Sequence, residues 1–121
     1  MAAQLKRNAG PAYVRILAGF ANQIAYDLYL EDAPDQFVTI ARRQNQNPST
    51  YLLSPDPRAL NGDNVLWGVD VVSPSPGQNQ AYSVTIEIMQ GGRIVPGGRI
   101  VDQGQFNGVT VVTGTIGITV S

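Results

Sequence analysis

The chain has 121 residues, with eight Lys plus Arg, nine Asp plus Glu, and neither His nor Cys. That length makes one domain, spanning 1–121, and the missing His and Cys exclude the usual zinc sites, a disulfide framework, a Cys nucleophile and a Ser-His-Asp triad. A formal net charge of −1 gives no general electrostatic pull toward nucleic acid or an anionic membrane.

Residues 1–11 read as a flexible or extended lead. From there the dominant pattern has period two, as in strands with one buried face. In 12–20, Val14, Ile16, Ala18 and Phe20 alternate with Tyr13, Arg15, Leu17 and Gly19. In 23–31, Ile24, Tyr26 and Leu28 alternate with Ala25, Asp27 and Tyr29. A turn at Ala21-Asn22 would join these two as a hairpin. Further strands are expected at 36–43, 50–54, 64–72, 80–90, 92–102 and 108–120. Trp67 shares a phase with Val65, Val69 and Val71, and Tyr82 with Val84 and Ile86, so both rings belong to the core. The predicted core is Val14, Ile16, Leu28, Val65, Trp67, Val69, Val84, Ile86, Ile116 and Ile118. Turn residues punctuate the strands: Asp32-Ala-Pro-Asp35, Asn45-Gln-Asn-Pro48, Ser54-Pro-Asp-Pro57, Asn61-Gly-Asp63 and Ser73-Pro-Ser-Pro-Gly77. The predicted fold is all-β, a single antiparallel β-sandwich of about eight strands, jelly-roll or Ig-like.

The strand 92–102 holds a short duplication, Gly91-Gly-Arg-Ile-Val95 and Gly97-Gly-Arg-Ile-Val101. Its offset of six is even, so on a straight strand Arg93 and Arg99 share a face. They would then form an anion clamp. Pro96 between the copies marks an edge strand or a kink.

Loop placement follows from counting reversals. Successive short connections alternate between the two ends of a sandwich, so loops 31–35 and 54–63 share one end. They bring Glu31, Asp32, Asp35, Asp56, Asn61 and Asp63 together, a set of oxygens that Ca²⁺ accepts. Only Arg58 accompanies them. Loops 44–49 and 73–79 share the opposite end. There Asn45, Asn47, Gln78 and Asn79, with Tyr51 nearby, suit a hydroxyl-bearing ligand.

The charged fraction is only 14%, and ten Gln and eight Asn supply the polarity instead. Seven of the eight basic residues are Arg, the basic residue enriched at interfaces, where Lys is depleted. Tyr13, Leu17 and Tyr29 lie outward on the first hairpin and mark an oligomer contact. The expected function is therefore a non-catalytic binding or assembly module acting through its surface, as a homo-oligomer. Carbohydrate or another protein is the alternative partner, and nucleic acid and membrane are not expected. The second reading is a small carbohydrate-binding, lectin-like protein, with Ca²⁺ dependence as a variant of it and Ca²⁺ the sole candidate cofactor. A paired-carboxylate glycosidase comes third, because so short a chain has little room for a substrate cleft. No signal peptide is visible, and a complete chain would be cytoplasmic.

Overall fold

In a computed structural model, which describes residues 2–121, two β-sheets pack face to face. The strands are β1 (Ala3–Leu5), β2 (Ala12–Ala18), β3 (Gln23–Ala33), β4 (Gln36–Gln44), β5 (Ser49–Ser54), β6 (Asn64–Val72), β7 (Gln80–Gln90), β8 (Arg93–Phe106) and β9 (Val109–Val120). One sheet has the order β1-β9-β6-β3-β4 and the other β5-β2-β7-β8. Pairing is antiparallel except for β1, which runs parallel to β9. All eight expected strands are present, and β1 is added to them.

Alternation is what makes these segments strands, because every other side chain reaches the space between the sheets. All ten predicted core residues are at most 5% exposed. Tyr26 joins them at 3%, whereas Tyr82 packs against the core only partly buried. The N-terminal lead is extended at 3–5, where Ala3 and Leu5 are fully buried. A further backbone bond runs from Ser121 N–H to the Leu5 carbonyl.

Two expectations are corrected. The turn at 19–22 does not make a hairpin. β2 lies in the four-stranded sheet and β3 in the five-stranded one, so the chain arches across the sandwich. Phe20 and Ala21 both take left-handed backbone conformations, with φ of 67° and 52°, and end the strand before residue 20. An arch and a hairpin carry the same alternation, because in each case both strands turn one face inward. Parity survives the change: each connection still moves the chain to the other end.

The second correction concerns β8. Its register against β7 breaks between Glu87 and Met89, where Arg99 is opposite Glu87 but Ile94 is opposite Met89. Five steps on β8 face two on β7, so three extra residues are accommodated, and an odd insertion flips the phase. The two copies of the duplication therefore differ in exposure. Val95 is 8% exposed and Val101 45%. Arg93 stands opposite Gln90 and Arg99 opposite Glu87, so the expected clamp is not formed.

Candidate functional site

The structure offers three features that could carry function: the acidic end, the amide-rich end and the outer face of the four-stranded sheet.

At the acidic end, the β3–β4 turn meets the segment leading into β6. Glu31, Asp32, Asp35, Asn61, Asp63 and Asn64 line a hollow of about 320 Å³. Asp56 is not part of it. It caps a single 3-10 turn at Pro57–Leu60, accepting from Arg58 N–H, and pairs with the Arg58 guanidinium at 3.0 Å. Those bonds hold the Asp56 carboxyl below the ordinary carboxylate value. Glu31 is also engaged. Its Oε1 accepts from Asn64 Nδ2 at 2.9 Å, and its Oε2 from Asp35 N–H at 3.3 Å. Asn61 Oδ1 accepts from Val120 N–H. Asp63 differs from all of these. It is only 8% exposed, and its backbone N–H and carbonyl are bonded to Leu60 and Ile118, while its carboxyl has no hydrogen-bond or ion-pair partner among the described residues. Burial, and then the Asp32 charge, raise its pKa. Among the described residues no three carboxylates converge as a ready-made metal cage.

The opposite end collects the amides, and two of them, Asn45 and Asn47, are used within the chain. Asn47 grips the backbone of Ala18 at both ends of its amide, accepting from Ala18 N–H and donating to the Ala18 carbonyl, each at 2.8 Å. This extends the β2–β5 edge past the last strand pair. Asn45, at φ 55°, accepts from Ile24 N–H at 3.0 Å. The Tyr51 hydroxyl meets that of Tyr26 at 2.6 Å, and burial together with this bond pushes Tyr26 upward. Gln78 and Asn79 are exposed in the neighbouring loop.

The expected oligomer contact divides between two surfaces. Tyr13 and Leu17 face outward on β2, and Tyr29 faces outward on β3 in the other sheet, so they lie on opposite sides of the sandwich. The Tyr29 hydroxyl accepts from Arg42 Nη2 at 3.1 Å, beside the Arg42–Asp27 ion pair. The reason is the arch at 19–22: had it been a hairpin, the three would have shared one face.

What replaces that contact is a row across the four-stranded sheet. Register places Leu52 beside Tyr13, Tyr13 beside Met89, and Met89 beside Ile94, one residue from each strand. Leu52 is 49% exposed, Tyr13 38% and Ile94 39%. The next row is Thr50, Arg15, Glu87 and Arg99. There Glu87 accepts from Arg15 Nε at 2.8 Å and lies 3.6 Å from Arg99 Nε. A further row is Leu17, Thr85 and Val101. Arg15, Glu87 and Arg99 are thus the charges in a band between two largely apolar rows. Sequence reading missed Leu52, Met89 and Ile94. Alternation gives each strand's phase, but only the register shows that these residues fall side by side.

Compared with protein-family models, curated proteins and solved structures, the chain finds no match in any of the three.

Proposed function

We propose that this protein is a non-catalytic β-sandwich module that works by surface contact and assembles with copies of itself through the outer face of the four-stranded sheet. The supporting observation is the row Leu52–Tyr13–Met89–Ile94, which sets side chains of all four strands side by side, with Leu52, Tyr13 and Ile94 exposed and Met89 half-buried between them. Tyr, Met and Arg are the residues favoured at interfaces, and Lys and Asp are disfavoured. The three rows contain Tyr13, Met89, Arg15 and Arg99, and neither Lys nor Asp. Glu87 is compensated by its arginine neighbours before any partner arrives, so a second sheet does not have to neutralise it.

The size is adequate. Four strands about 4.8 Å apart and the seven residues of β2 give a face of roughly 19 by 24 Å. With side-chain relief and two copies, this reaches the ~1,000 Å² of a stable interface. The lectin reading has less support, because the Asn45 amide oxygen, both ends of the Asn47 amide and the Tyr51 hydroxyl are already bonded inside the chain. The test is light scattering of the wild type beside Leu52→Glu and Ile94→Glu. The wild type is expected to exceed a monomer's mass at tens of micromolar. Each variant is expected to be monomeric and folded, with a melting temperature that, unlike the wild type's, does not depend on protein concentration. A monomeric wild type overturns the proposal.

A further inference from the structure

We infer that the hollow between the β3–β4 turn and the start of β6 is a weak site for a hard divalent cation such as Ca²⁺, with Asp63 and Asp32 as its anionic ligands. The topology brings the two acidic segments together, and both aspartates line the same hollow. The second observation is Asp63 itself. A carboxylate taken out of water needs a charge partner or several hydrogen-bond donors. As a residue Asp63 is nine-tenths buried; its carboxyl keeps only a narrow contact with solvent and has neither kind of partner among the described residues. The basic side chain nearest in sequence, Arg58, is occupied by Asp56. The charge felt by Asp63 is that of another carboxylate, Asp32. An ion between the two would satisfy both.

The remaining oxygens decide the class of ion. Glu31 is taken up by Asn64 and by the Asp35 backbone, and Asn61 Oδ1 by Val120. Asp35 also lines the hollow, but among the described residues no three carboxylates converge, so the protein supplies two carboxylates and the rest of the shell falls to backbone carbonyls and water. That donor set is all oxygen, with no His or Cys in the chain, and it selects Ca²⁺ or Mg²⁺ over softer metals. Two charged ligands, with no cage of three, place the affinity in the weak class of about 10⁻⁴–10⁻³ M. The site is also separate from the amide-rich end. The eleven residues of β3 span roughly 36 Å at strand rise, so an ion here would not bridge a ligand held there.

The experiment uses the whole chain at neutral pH, melted first in excess chelator and then with millimolar Ca²⁺ or Mg²⁺, alongside Asp63→Asn and Asp32→Asn. With metal, the wild-type melting temperature is expected to rise by several degrees, and chelator is expected to reverse the rise. In chelator, Asp63→Asn is expected to melt above the wild type, because the buried charge is gone, and it should no longer respond to metal. An amide NMR titration of the wild type locates the site without relying on a variant. Amide resonances of residues 31–33, 35 and 61–64 should move while those at 45–47 stay still. Absence of any thermal response, a response retained in Asp63→Asn, or shifts centred elsewhere would each overturn the inference.

Discussion

Trp67 and Gly114 face each other across the β6–β9 ladder, and each explains the other. The indole lies so close over Gly114 that an added Cβ would collide with Cζ2 and come within 2.6 Å of Cε2. A glycine here lets a large ring lie flat on the neighbouring backbone. Trp67→Ala should cost about 3–5 kcal/mol. Gly114→Ala should cost about 1–3 kcal/mol through overpacking. Both are read from urea unfolding. Gly68, on the next position of β6, is the control: a Cβ there meets nothing within 4 Å, and Gly68→Ala should be neutral or slightly stabilising. Asp63 gives a prediction of another kind. Its folded pKa is raised above the ordinary 3.8, so the folded state holds the proton more tightly than the unfolded chain. Its contribution therefore favours folding at low pH and is lost as pH rises from about 3.8 through the raised value. Asp56 has the opposite sign: its lowered pKa supports folding above 3.8 and fails as pH falls through the lowered value. In chelator, Asp63→Asn should flatten the decline on the alkaline side of the unfolded pKa and leave the acid limb unchanged. Melting temperatures taken across pH check both limbs.

At the level of the strand, β8 shows where local pattern stops short. Residues 92–102 were legible as extended chain, and Pro96 as a break, but the strand runs on to Phe106 and the duplication implied one phase where there are two. The cause is the three-residue excess, which no count along β8 alone reveals; it exists only relative to β7. Gly98 is fixed by that excess. A Cβ there would sit 2.8 Å from Val95 Cγ2 and 2.9 Å from the carbonyls of Ile88 and Val95. Gly98→Ala should therefore cost about 1–3 kcal/mol and shift the amide resonances of both β7 and β8. The same limit explains the 19–22 arch. Val14 and Leu28 announced two half-buried strands, but which sheet each joins depends on distant partners. The ten core positions were readable because burial on a strand is a local alternation. The acidic end was readable because parity counts reversals and ignores sheet membership. Asp63 was visible only as one of several turn residues. Its burial comes from the packing of β6 against β9, where the Ile118 N–H bonds its carbonyl.

For the whole molecule, low charge is the governing property. Eight basic and nine acidic residues on 121 leave little long-range field, so contacts between copies would depend on shape and apolar area. Salt screens exposed charges over about 10 Å at 0.1 M but barely weakens apolar burial. The dissociation constant of the assembled form should therefore change less than about threefold between 50 and 500 mM NaCl. Sedimentation velocity at the two salt concentrations checks this. A steep loss of mass at high salt would assign the contact to the Arg15–Glu87–Arg99 band, with the apolar rows secondary.

β9 lies between β1 and β6, yet it is the last of the nine strands in the chain. During synthesis β1 precedes the other described strands and has no strand partner until more than a hundred residues have followed it. At about 5–20 residues per second, that wait lasts roughly 5–20 s. Once β6 has been made, its flank that will receive β9 stands open beside Val65, Trp67 and Val69 until about forty further residues have followed. A growing chain thus presents an unpaired apolar edge that the finished protein conceals, and a neighbouring nascent copy offers the same strand. Crowded translation is therefore the stage at which this protein is most exposed to pairing with the wrong β9.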